Sequence, residues 1–246
     1  MIANSRDDKN ESFDASDIAR EQEPVQAETK KKSKPFCFVL LTFIPPLYML
    51  HLQIGPKASA IFRMGAPALH PLWPILPGLA LAFLFCNAPS MKGFRTILHE
   101  LRHAALILLT GNKLNRFEFY SKQQIQELNT LARVFYRLRA GIWGHITGPL
   151  ITTAPYYFPL LSIPAIAVCS FLPHQHQQTG LFAVGISIGI DYITSLKDFL
   201  NVNNLGEGDF VEYRGGFVFG VPFVLAVNAV TIECTAIWMG WMLTGL

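Results

Sequence analysis

Apolar and polar positions divide the chain near residue 35. Residues 1–35 hold few large apolar side chains, whereas from residue 36 onward apolar runs of membrane-spanning length follow one another between short polar breaks. The first run, residues 36–54, is about 19 residues long, enough for ~30 Å of hydrocarbon, and Pro45-Pro46 is set to kink it. Residues 69–88 form the second, broken at Pro71, Pro74 and Pro77, which predicts a bent or partly re-entrant passage. A third helical pattern covers 93–110 and stops at Gly111-Asn112, a C-terminal signal. The apolar pattern returns at 141–171, where Pro155, Pro159 and Pro164 predict one tilted, broken span, and continues at 181–200 and 217–246. The pattern therefore predicts a polytopic helical membrane protein with about six transmembrane helices, residues 36–246 forming one integral membrane domain.

The longest polar interval of the body is 113–140. Its start, Leu114-Asn-Arg-Phe-Glu-Phe-Tyr120, alternates like a short strand. Residues 123–138 place Ile125, Leu128, Leu131, Phe135 and Leu138 at helical spacing, which predicts an amphipathic helix on the membrane surface. His174 and His176 fall in a short polar turn and are read as incidental, not as a metal tract.

Composition agrees with the pattern, since 51% of the residues are hydrophobic and only 15% charged. Eight of the seventeen acids lie in the first 35 residues, which read as a disordered polar tail closed by Lys30, Lys31, Lys32 and Lys34. That tail lacks the apolar core and cleavage site of a secretory signal. Cys37, Cys86, Cys169 and Cys234 show no C-x-x-C spacing and read as small buried apolar residues. The expected partners are the lipid bilayer and a membrane protein or peptide substrate; no nucleic-acid partner is expected, and the oligomeric state is left open.

The chemistry-bearing stretch is His99-Glu-Leu-Arg-His103, inside the third apolar helix. Residues four apart share a helix face, so both imidazoles can reach a single Zn2+. Glu100 then lies beside the metal, where a carboxylate can take a proton from bound water. Haem is a poor alternative, because two histidines one turn apart cannot occupy opposite axial positions. A third protein ligand inside a membrane should be an ionisable residue of another span, and Glu100, Asp191 and Glu233 are the carboxylates that fall clearly within spans. Asp191 is the choice. It lies ~15 Å from the end of its helix, and His99 and His103 lie ~16 and ~10 Å from theirs, so the depths agree if both helices end on the same side. Asp198, on the same face of that helix, is the rival ligand or a support for the ligands. Glu233 is expected to make a polar contact with a neighbouring helix without binding metal.

These residues resemble the site-2 protease family of intramembrane zinc metalloproteases, in particular its compact bacterial members. The resemblance continues through Gly111-Asn-Lys-Leu-Asn-Arg-Phe-Glu-Phe119, similar to the family's strand segment after the metal helix. Thr147-Gly-Pro-Leu150 is similar to its Gly-Pro start of a second core helix, and an aspartate follows in a third. It covers roughly residues 94–216. The family usually has Gly where Arg102 stands and Leu-Asp-Gly where this chain has Ile190-Asp191-Tyr192. The resemblance implies a three-helix core holding one Zn2+, hydrolysis of peptide bonds of membrane-associated substrates with Glu100 as general base, and strand pairing of an unwound substrate. It also implies a bacterial inner (cell) membrane location with the active site toward the cytoplasm. Two alternatives stand beside it: a catalytically silent membrane scaffold of the same fold, and a transporter using Asp191, Glu233 and His145.

Overall fold

The computed structural model describes residues 38–64, 69–88, 91–120, 132–205 and 216–244; the polar tail and its lysine cluster lie outside them. The described residues form seven α-helices and one two-stranded sheet. In chain order they are α1 (Phe38–Arg63), α2 (Ile75–Asn87), α3 (Lys92–Leu109), β1 (Lys113–Phe119), β2 (Ala132–Arg137), α4 (Ile142–Thr153), α5 (Ser162–Ser170), α6 (Gln177–Leu205) and α7 (Gly216–Thr244). Three stretches, His70–Asn87, His174–Leu200 and Gly220–Leu243, are long and apolar enough to cross a membrane. Leu76, Leu84, Leu109, Ile142 and Phe171 are each exposed by two-thirds or more. A water-facing surface seldom carries so many bare large apolar side chains, whereas a lipid-facing one requires them.

Side-chain partners give each helix its direction. Arg95 and His99 meet Asp198, and Arg102 meets Asp191 and Thr194, so α3 and α6 are antiparallel. Gly185 backs onto Ile75, Gly189 onto Ala82, and Lys197 bonds the Cys86 carbonyl, so α2 runs parallel to α6. A β-carbon on Gly185 would stand 2.3 Å from the Ile75 carbonyl oxygen, which is why small residues mark this close helix contact. α1 and α7 are parallel to each other: Leu40 packs with Phe223, His51 bonds Glu233, and Ile61 packs on Gly240.

The proline-interrupted stretch 141–171 does not run through in one direction. α4 is antiparallel to α3, because Trp143 bonds Thr110, Thr147 bonds Asn112, and Ile151 bonds His103. After the 3-10 turn Ala154–Tyr156 the chain reverses, and α5 lies antiparallel to α6, with Leu161 and Ser162 on Asp191 and Cys169 on Gly180. Since α6 is itself antiparallel to α3, α5 retraces the path of α4. The expected single broken span is a helical hairpin whose turn sits at the depth of His99 and Arg102.

α3 ends as its sequence predicts. Gly111 takes φ 66°, its N–H bonds Leu108 O and that of Asn112 bonds Ile107 O, the two bonds of a Schellman cap. β1 and β2 pair antiparallel, Lys113 opposite Arg137 and Phe119 opposite Ala132. β2 corrects the surface helix expected over 123–138, of which 123–131 lie outside the described residues. Val134, Phe135 and Tyr136 are β-branched or aromatic, and the β1 edge gives their backbone a partner that overrides the helical spacing.

Candidate metal centre

α3 presents Arg95, His99, Arg102 and His103 on one side, at the three- and four-residue spacings that stack side chains on a helix face. The His99 and His103 rings have centroids 5.0 Å apart at 73°. Two imidazoles bound through nitrogen to one tetrahedral ion at ~2.0–2.1 Å stand with centroids about 5 Å apart. The pair is therefore spaced for one metal ion. His103 donates Nδ1–H to the Ile151 carbonyl at 2.7 Å, and His99 Nδ1 faces the Asp198 carboxylate at 3.2 Å. With Nδ1 as donor in a ring, the lone pair resides on Nε2, the arrangement that orients histidine ligands in metal sites. Tyr156, from the turn between α4 and α5, packs edge-on against His99 at 6.0 Å.

The two candidate aspartates occupy different surroundings. Asp198 is bridged to Arg95 at 3.2 Å as well as to His99, and its side chain is partly accessible. Asp191 is almost fully buried and ion-paired with Arg102, whose side chain is sealed from solvent. The second carboxylate oxygen of Asp191 accepts from Leu161 N, Ser162 N and Ser162 Oγ at 2.7–2.9 Å, capping the start of α5. Arg102 also donates to Pro155 O, Asp191 O and Thr194 Oγ1. The structure thus brings Asp198, and not Asp191, to the histidine pair. The depth argument for Asp191 required α3 and α6 to end on the same side, and they are antiparallel. With the helices antiparallel, His99 lies seven residues after Lys92 and Asp198 seven before Leu205. Among the described residues no three His, Cys, Asp or Glu side chains form a group able to hold a metal ion.

Glu100 meets the sheet. Its Oε2 accepts the Val134 N–H at 3.0 Å, so the β1–β2 hairpin folds back along α3 and the strand that meets Glu100 is β2. Asn112, buried at the end of α3, ties this corner together through Thr110, Thr147 and the Arg139 N–H.

The remaining candidates lie elsewhere. Glu233 meets His51 of α1, matching the expected contact with a neighbouring helix. His145 is exposed near the start of α4, and His174 and His176 bond neighbouring glutamines in an exposed turn. Cys86 and Cys169 are buried free thiols, while Cys234 is exposed. Sequence reasoning missed the Arg102–Asp191 pair, although it had a signal: Arg102 is a cation within an apolar helix pattern and Asp191 a carboxylate within another, opposite in charge. The chain matches no protein-family model, no curated protein and no solved structure.

Proposed function

We propose that this protein is an intramembrane zinc metalloprotease. The observation that carries the reading is the spacing of the His99 and His103 rings, each anchored through Nδ1, with Glu100 between them in sequence. His99 and His103 would hold one Zn2+. Asp198 replaces Asp191 as the carboxylate of the centre, serving it through His99, while Arg95 steadies Asp198. An ion held there would polarise the scissile carbonyl and lower the pKa of a water toward ~7.

The chain's own residues do the rest. Glu100 accepts the proton of the attacking water and returns it to the leaving amine. Ile151, on the helical hairpin, fixes the ring of His103. β2 offers a backbone edge beside Glu100 to an extended substrate. A substrate helix must unwind locally first, because an intact helix shields its own carbonyls.

In this reading α1, α2, α3, α6 and α7 cross the bilayer of a bacterial inner membrane, five spans in place of the six expected. The β1–β2 and α4–α5 hairpins both re-enter from the face that carries Arg63, Lys113, Arg137 and Arg139. That basic face is assigned to the cytoplasm. Zinc analysis of the purified protein beside His99→Ala, with cleavage of a helical reporter by wild type and Glu100→Gln, tests the proposal. About one zinc per chain, lost in His99→Ala, and cleavage lost in Glu100→Gln are expected. A zinc-free wild type that cleaves nothing would refute it.

A further inference from the structure

Resting on the protease reading, we infer that Glu100 is held back by the strand edge on which substrate docks, and that an extended peptide releases it by taking over the Val134 N–H. Val134 stands opposite Phe117 in the hairpin, yet its N–H goes to Glu100 Oε2 at 3.0 Å. At this position the β2 backbone therefore addresses the metal helix and not β1. An outward N–H on a strand edge is the group that a carbonyl of an added strand accepts from. Here the acceptor is a carboxylate oxygen, which forms a stronger bond than a neutral carbonyl.

One N–H cannot serve both acceptors well, so docking and the resting position of Glu100 compete. Without substrate, the contact closes the edge and engages the carboxylate oxygen that a proton would reach. When a peptide segment pairs along β2, its carbonyl takes the N–H, and Glu100 Oε2 is presented to the centre as the scissile bond arrives. The substrate class follows from the exchange: a locally unwound, extended peptide with a free backbone carbonyl. A bilayer is full of ester carbonyls, but a lipid ester has no strand to pair along β2 and does not release the base.

The exchange predicts a binding cycle that needs neither metal nor turnover. The probe is a dye-labelled hexapeptide of alternating Val and Thr with uncharged ends, titrated by fluorescence anisotropy onto the full chain in detergent micelles. Glu100→Ala removes the competing acceptor and should tighten binding on the order of 10-fold. Val134→Pro removes the contested N–H without costing a bond to β1, and should weaken binding, whereas Val134→Ala keeps the N–H and should bind like wild type. In the Val134→Pro background Glu100→Ala should have no further effect, since the two changes act on one bond. Hydrogen exchange of segment 132–137 supplies a second measurement should the proline variant not fold: Glu100→Ala should speed exchange there, and added peptide should restore protection. Unchanged or weaker binding by Glu100→Ala, or tightening that persists in the proline background, would overturn the inference. Bound zinc with a flat cycle defeats this inference alone, whereas a zinc-free, inactive protein with an intact cycle defeats the protease reading.

Discussion

Asp191→Ala should unfold this protein more readily without loss of the zinc proposed at His99 and His103. Asp191 and Arg102 are 3% and 0% exposed, and their ion pair is 3.1 Å long. Removing the aspartate leaves the guanidinium buried with only neutral acceptors at Pro155, Thr194 and the backbone of residue 191, and deprives Leu161 N and Ser162 N of their cap. Breaking a buried pair from one side costs about 3–5 kcal/mol, which in a chain of this size lowers the melting temperature by roughly 10 °C. Arg102→Met should cost less, about 1–3 kcal/mol, because the Asp191 carboxylate keeps its three donors from residues 161 and 162. The assay is thermal unfolding in detergent with a chelator present, so that metal linkage does not mask the fold's own stability. Zinc content of the intact variants is measured separately. An Asp191→Ala protein that melts like wild type but has lost its zinc would restore Asp191 as a ligand and refute the assignment of its carboxylate to Arg102 and α5.

Three further outcomes are expected. Glu100→Gln should lower cleavage of a helical reporter at least ~10²-fold while zinc stays bound, since both imidazoles remain; full activity would remove Glu100 as the base. Asp198→Ala should weaken zinc affinity roughly 10–100-fold, the scale for losing a residue that orients a histidine ligand, with little change in melting because Asp198 is partly accessible; competition with a chromogenic chelator reads it. Single cysteines at Arg139 and His174, in a cysteine-free background, should react with an impermeant thiol reagent from the same face of a sealed vesicle, and one at Asn87 from the other. Labelling of Arg139 and His174 from opposite faces would show that residues 141–171 cross.

What the sequence revealed and concealed follows from which properties are local. The extent of α3 was legible, because the placing of His99, Glu100 and His103 needs only helical spacing and Gly111-Asn112 needs only a left-handed glycine. β2 was not, because Phe135 and Leu138 fit a helical period, and only the β1 edge makes a strand of residues 132–137. Prolines 155, 159 and 164 announced an interruption but carried no information on whether the chain continued or turned back. The depth argument for Asp191 failed for a related reason. Depth along a helix can be compared across helices only when their relative direction is known, and direction is a property of packing. Arg102 was read as a departure standing alone, although its partner lay 89 positions away.

The reversal at residues 154–161 has a consequence of parity. The orientation of every later helix depends on whether an odd or even number of traverses precedes it. A segment that enters and leaves by one face contributes zero. The β1–β2 and α4–α5 hairpins can therefore be lengthened, shortened or exchanged without inverting α6 and α7, which keep the direction relative to α3 that sets Asp198 opposite His99. In the proposed topology, insertions in these two hairpins would be absorbed as changes in the wall of the proposed centre, whereas gain or loss of one true traverse would turn α6 over and carry Asp198 away from the histidines.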